Sequence, residues 1–300
     1  MIQSALGPFD AARMFNDVMA RHSMTCRADA GDFGFGTSSV ILGSNSGGAN
    51  LAGQLFDELF RPSPAGTYHH YTSYGGFKGI VSTGTLRLYN LHKRFNSGEF
   101  RTFCRDHGLD GYLREENPGE EIGHFDSLMR DLYYTSLVSE NAADSDLHWD
   151  KFANGHKGVR LSFEVKFHGA YPNFRSVAYQ DPDCHPALRD LQSAFRSRGW
   201  FFVNLGLSRM GGFYQRRDFS SQFEHRLLAK RFPGDETGFP FAVHDERHGA
   251  VAYIESDLTT SNHPWFNLKL VSVKVGRDGS RENVESYLSQ HEQFRSVVLT

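Results

Sequence analysis

An α+β fold with mixed or antiparallel sheets is predicted for this sequence from three observations. Short segments rich in β-branched and aromatic residues recur along the 300 residues. Only a few short helical periodicities separate them. The two kinds of segment do not alternate regularly, as a parallel βαβ sheet would require. Hydrophobic content of 39% and charged content of 22% suit a chain that folds around a core rather than a disordered one. At this length one elaborated domain or two smaller ones fit, and no internal repeat is evident.

Taken in order, residues 8–22 read as an amphipathic helix, with Phe9, Ala12, Phe15 and Val18 at helical spacing and Asp10 as its cap. Residues 28–53 are rich in Gly, Ser and Asn and read as a loop. A phosphate cradle among their glycines needs Lys-Ser/Thr after the last Gly, or a strand before and a helix after, and neither pattern is evident. Leu51–Phe60 reads as a short helix stopped by Pro62 and Pro64. Residues 1–65 thus form a helical and Gly/Ser-rich extension, and residues 66–300 the body.

The body opens with a strand at 68–72. A short helix carrying Phe77, Ile80 and Val81 follows, capped by Gly84, and then a second strand at 86–89. Residues 114–125 are an acidic insertion, and a helix over 126–131 feeds a strand at 132–137. A helical turn at 147–152 leads through His156-Lys157-Gly158 into a strand at 159–165. Further strands are expected at 175–179, 226–231, 240–243, 250–255 and 268–275, with helices at 190–198 and 281–295.

The net charge of -3 argues against coating nucleic acid by bulk charge. Local basic pairs (Lys93-Arg94, Arg216-Arg217, Lys230-Arg231) read first as solvated surface. Cys26, Cys104 and Cys184 are odd in number and far apart, which suits a reducing compartment. No apolar run approaches a membrane span and no leader pattern opens the chain, so a cytoplasmic protein is expected; export as an effector without a cleavable signal would look the same. The 15 His residues show no ligand spacing, so no metal is expected.

Four segments hold residues suited to chemistry. His70-Tyr71-Thr72-Ser73 ends a strand above a turn, where polar side chains face a cleft, although a strand His is more often packed. In Tyr133-Tyr134-Thr135-Ser136, alternation puts Tyr134 and Ser136 on one face, suited to a flat ring and its amide; a half-buried strand explains the same residues. In the third segment, His148 to Gly158, Trp149 and Phe152 share a helical face and are expected to pack. In Gln222-Phe223-Glu224-His225-Arg226, an extended chain aims Gln222 and Glu224 the same way and Phe223 into the opposite layer. A carboxylate beside an amide suits a sugar diol; a surface ion pair worth at most about 1 kcal/mol is the plain alternative.

Read together, these segments resemble a prokaryotic family known as domain of unknown function 2971. Its pattern runs through H-Y-T-S (His70 to Ser73), N-x-x-E-F (Asn96 to Phe100), W-x-x-Y/F-A-x-x-H-K-G-V (Trp149 to Val159) and E-x-E-W-R (Gln222 to Arg226). The resemblance covers roughly residues 66–232, with Ser97-Gly98 in place of Asp-Pro, Gln222 in place of the first Glu and His225 in place of Trp. The same order of segments is similar to the ADP-ribosyltransferase superfamily, which implies a split β-sheet core and NAD as substrate. Carried over residue by residue, the resemblance implies that His70, with Tyr71 and Thr72 beside it, contacts the nicotinamide ribose. Tyr134 would stack on nicotinamide with Ser136 in support, the sequence leaving open which of Tyr133 and Tyr134 faces the cleft; Glu224 would be the catalytic carboxylate and Gln222 would orient the acceptor. The implied activity is ADP-ribosyl transfer to a macromolecule, as in a bacterial toxin or phage-defence effector. NAD hydrolysis at the same site, or a binding module that kept the fold, are the alternatives. The acceptor is expected to be a protein or, less readily, a nucleic acid stacked on the aromatic and basic residues of 200–217.

Overall fold

The computed structural model describes residues 6–91, 98–113, 128, 130–142, 145–168, 173–181, 184–230, 241–246, 249–260 and 265–300. The chain divides into two compact units, each assembled from three stretches. One comprises Met1–Pro62, Phe95–Arg130 and Val177–Phe219, the other Ser63–Arg94, Asp131–Ser176 and Ser220–Thr300. A division therefore falls close to residue 65, but residues 66–300 are shared between both units. The acidic insertion at 114–125, Lys93-Arg94, Arg231 and half of the helix expected at 126–131 lie outside the described residues.

The first unit is helical with two small sheets. Its opening helix is Pro8–Arg21, whose face of Ala11, Phe15, Val18 and Met19 is buried. The cap is Gly7 rather than Asp10; Asp10 instead pairs with Arg13 at 2.6 Å within the first turns. The expected loop at 28–53 is in fact structured. It holds β1 (Phe33–Phe35), β2 (Ser39–Leu42) and the start of a helix over Ser46–Leu59. Asn45 caps that helix by accepting from the Gly48 amide at 2.7 Å. β2 pairs antiparallel with β1 and parallel with β9 (Phe201–Asn204). The helix Pro186–Arg196 brings Phe195 to stack on Phe202, with ring centroids 5.2 Å apart. β8 (Ala178–Tyr179) and β10 (Tyr214–Gln215) form a separate parallel pair.

The second unit is a ten-stranded sheet, antiparallel apart from its last pairing. Its strands are β3 (Gly66–Thr72), β4 (Thr85–Asn90), β5 (Leu132–Ser139), β6 (Val159–Phe167), β7 (Phe174–Ser176), β11 (Glu224–Lys230), β12 (Phe241–Glu246), β13 (Gly249–Asp257), β14 (Phe266–Val275) and β15 (Val298–Leu299). They run in the order β12-β13-β4-β5-β3-β6-β14-β15, and β11 pairs with β5 and β7. One face buries Phe77, Val81, Tyr133, Leu137, Phe163 and Leu227 among others, each aromatic or branched side chain contributing about 1.5–3 kcal/mol. The C-terminal helix ends at Ser289 and continues only as a 3-10 turn over Glu292–Phe294.

β5 is where this sheet forks. Along one edge it pairs with β11 over its length, from Leu132 opposite Lys230 to Val138 opposite Glu224. Along the other edge, Tyr133 and Tyr134 pair with β4, while Val138 and Ser139 pair with β3. Residues 135–137 therefore sit in the opening between β3 and β4, which the helix Tyr74–Thr83 connects. The α+β class with short helices and mixed strands is thus the architecture of the chain.

Candidate functional site

Residues directly opposed in an antiparallel pair share a face. The β5/β11 register therefore collects Tyr134, Ser136, Val138, Glu224, Arg226 and Leu228 on one face, and Tyr133, Thr135, Leu137, His225 and Leu227 on the other. Tyr133 belongs to the main core, which leaves Tyr134 as the tyrosine beside Glu224. Glu224 itself is 5% exposed.

Both of its carboxylate oxygens are engaged. The Ser136 hydroxyl donates to Oε1 in a short hydrogen bond. The Arg226 guanidinium donates from Nε to Oε1 at 2.8 Å and from its terminal nitrogen to Oε2 at 3.2 Å. Arg226 is 1% exposed, and its guanidinium lies 5.0 Å from the Tyr134 ring centroid. Arg226 was not among the residues expected from the sequence. Strand alternation carried the signal, because residues 224 and 226 must share a face.

His70 stands in the fork, half-buried, with ring Nδ1 3.1 Å from the Ser136 backbone carbonyl. Its neighbour His69 points the other way and meets the Ser162 hydroxyl at 3.0 Å. Tyr71 is 6% exposed and packs with Val138, Trp149 and Ala153. Thr72 is half-buried, with its hydroxyl against the start of the helix Tyr74–Thr83. The sheet thus brings His70, Tyr134, Ser136 and Glu224 together, whereas Tyr71 is a packing residue beside them.

Gln222 departs from the expected geometry. It ends a 3-10 turn over Arg217–Gln222 instead of extending β11 backwards, so its side chain and that of Glu224 are not related by strand alternation. Phe223 has φ of +46° and is 58% exposed, so it does not enter the opposite layer. The Gln222 carbonyl accepts from His148 Nε2 at 2.8 Å. His225, where the resembled pattern has Trp, lies among rings, 5.1 Å from Tyr68 and 6.0 Å from Phe174, with Nδ1 2.7 Å from the Ser63 hydroxyl. Burial pushes its pKa down to about 4, although the Glu224 charge pulls the other way.

The His156-Lys157-Gly158 stretch is explained by packing. A Cβ on Gly158 would lie 2.2 Å from the Thr72 carbonyl oxygen, so only glycine lets this turn close on the end of β3. Trp149 is buried at 5%, but Phe152, expected beside it in the core, is 44% exposed. Within the N-x-x-E-F segment, Asn96 and Ser97 are outside the described residues, and Phe100 is buried in the helix Gly98–Asp106 of the first unit. Phe202, Phe213 and Tyr214 are at most 1% exposed, which removes them as a platform for stacked bases.

Among the described residues no group of three His, Cys, Asp or Glu side chains is arranged for a metal ion, and no helix is long and apolar enough to cross a membrane. No family model, curated protein or solved structure compared with the chain matches it.

Proposed function

We propose that the protein is a NAD-dependent ADP-ribosyltransferase acting at the β5/β11 face, with Glu224 as its catalytic carboxylate. The observation that supports this reading is the meeting of three separate segments at one place: His70 at the Ser136 carbonyl, and the Ser136 hydroxyl on Glu224. In the reaction the bond between nicotinamide and the ribose C1′ breaks, and nicotinamide leaves with the electron pair. The acceptor nucleophile forms the new bond and gives up its proton. An oxocarbenium-like ribose develops in between, as in glycoside cleavage. A fixed carboxylate facing that charge contributes about 3–4 kcal/mol, the usual worth of one preorganised electrostatic group. Glu224 would exchange one Arg226 hydrogen bond for the ribose 2′-hydroxyl, while Ser136 keeps the carboxylate aimed. His70 would hold the ribose from the fork, and Gln222 would face the acceptor. Tyr134, under Arg226, would steady the guanidinium as much as the nicotinamide ring.

A specific observation favours a second reading. Both Glu224 oxygens are occupied and the side chain is 5% exposed, which equally suits a buried structural pair in a binding module that has no turnover.

Incubation with labelled NAD and cell lysate separates the readings. Label transferred to a macromolecule supports the transferase, and free ADP-ribose alone supports the hydrolase. No NAD binding at millimolar concentration removes both. For the Glu224→Gln variant we expect an intact fold, nearly unchanged NAD affinity and loss of turnover, because the charge acts mainly in the transition state. Retention of more than about a tenth of the activity, a loss under 1.4 kcal/mol, removes Glu224 from the mechanism.

A further inference from the structure

The turn that delivers Glu224 into β11 is held by a residue from a different segment. His148 lies on the helix Asp146–Phe152 and is fully buried at 0% exposure. Its ring stacks on Tyr71 with centroids 5.2 Å apart and planes 19° apart, and on Phe152 at 6.3 Å. Tyr71 on β3 and Phe152 on its own helix thus set the plane of the ring. That orientation sends Nε2 to the Gln222 carbonyl, 74 residues away in sequence, at 2.8 Å. A carbonyl only accepts, so Nε2 carries the proton of this bond. Nδ1 has no hydrogen-bond partner among the described residues, so the ring's one hydrogen bond is the one to the turn.

The turn itself needs holding. Gln222 closes a 3-10 turn, whose last carbonyls lack partners within the helix. Phe223 follows with φ of +46°, a left-handed conformation that a bulky residue adopts only where its surroundings impose it. Phe223 is 58% exposed, so packing of its side chain does not supply that constraint. Glu224 is the next residue and the first of β11.

We propose that His148 is a positioning residue that, through the Gln222 carbonyl, locks the Gln222-Phe223-Glu224 turn and so fixes the direction of the Glu224 carboxylate toward the reacting ribose; this rests on the transferase reading above. The lock separates two jobs. Arg226 and Ser136 hold the carboxylate from the sheet side, and His148 holds the backbone from which the carboxylate projects. When the lock is lost, the 222–223 peptide is free to rotate, Phe223 relaxes to extended backbone, and the carboxylate leaves its line with Ser136. NAD binding, which draws on other residues, is largely kept.

The test compares His148→Phe, which keeps a ring between Tyr71 and Phe152 but deletes the donor, with His148→Gln, whose amide nitrogen reaches the position of Nε2. Amide hydrogen exchange over residues 220–226 reads the turn without any activity. Steady-state NAD cleavage reads the consequence. In His148→Phe we expect faster exchange confined to this segment and kcat lower by about tenfold or more, with KM for NAD changed less than about threefold. His148→Gln restores both measures. Adding Phe223→Gly to His148→Phe recovers part of kcat, because glycine adopts a positive φ unaided. Unchanged exchange in His148→Phe overturns the lock. Faster exchange with kcat intact, or a rise in KM alone, overturns its role in positioning Glu224. If the wild-type chain neither binds nor cleaves NAD, the transferase reading falls, and the catalytic role of His148 with it; the exchange comparison then still decides whether the turn is locked.

Discussion

Glu58 and Glu224 each accept a hydrogen bond from a hydroxyl, and their surroundings differ. Glu58, in the first unit, takes three donors, all neutral: the Thr25 amide and hydroxyl at 2.7 Å each and the Cys26 amide at 2.6 Å. Glu224, in the second, takes the Ser136 hydroxyl and a bidentate guanidinium. Glu58 is half-exposed, so water completes its solvation, and neutral dipoles suffice to tie a loop to a helix. Glu224 is buried, and burying an anion demands a charge in return. The first arrangement can only hold a chain in place. The second concentrates charge on a sheet face beside an opening between strands.

Removing the cation is the strongest way to test that contrast. Arg226→Met takes the bidentate guanidinium from the buried Glu224, and a loss of about 3–5 kcal/mol follows from breaking such a pair from one side. Denaturant titration of this variant measures it. The double variant Arg226→Met/Glu224→Gln removes the orphaned charge and regains a large part of the loss. If Arg226→Met costs less than about 1 kcal/mol, the pair behaves like an exposed salt bridge and the comparison with Glu58 collapses.

Acid probes the same strand from its opposite face. His225 follows Glu224 on β11, and burial holds its pKa at about 4, against an ordinary value of 6.5. A depressed histidine pKa means that the unfolded chain takes up the proton first as pH falls. The stability that neutral His225 provides is therefore complete above pH 6.5, declines between 6.5 and about 4, and does not change further below that. Unfolding free energy followed across this window in the wild-type chain and in His225→Gln isolates the contribution. A slope that persists unchanged in the variant assigns it elsewhere, with the buried His185 of the first unit, pushed down to about 3, as the next candidate.

What the sequence revealed and what it concealed follow from the same distinction between local and distant interactions. β3, β5 and β11 announce themselves through Tyr, Val, Leu and Thr at strand spacing, whereas the grouping of His70, Ser136 and Glu224 was implied by the resemblance and not by the residues alone. Residues 28–53 were opaque because their structure is made by partners far along the chain. β2 is four residues long and is fixed by parallel pairing to residues 201–204. The helix at 46 begins with Ser-Gly-Gly, a poor helix former, yet a Cβ at Gly48 would sit 2.1 Å from the Asp32 carbonyl oxygen, so close packing required the glycine that disguised the helix. At the candidate site the missed features were likewise non-local or strained. Nothing in the residues around Gln222 announces a carbonyl bound by His148, and a positive φ at Phe223 contradicts local propensity.

The smallest expected effect completes the comparison. Hydrogen bonds from Thr25 and Cys26 hold the Glu58 carboxyl below its usual value of 4.5, against a burial penalty that acts in the opposite direction. Its folded pKa is depressed, so its contribution is present above pH 4.5 and disappears as pH falls through the lower folded value. Glu58→Gln keeps one oxygen acceptor and forfeits charge assistance, which at a half-exposed position amounts to about 1 kcal/mol or less. A shift of that size in the denaturation midpoint is the expected outcome. A loss approaching that of Arg226→Met would show that neutral donors secure a carboxylate as firmly as a guanidinium does, and the case for a special role of the Glu224–Arg226 pair would lose its energetic ground.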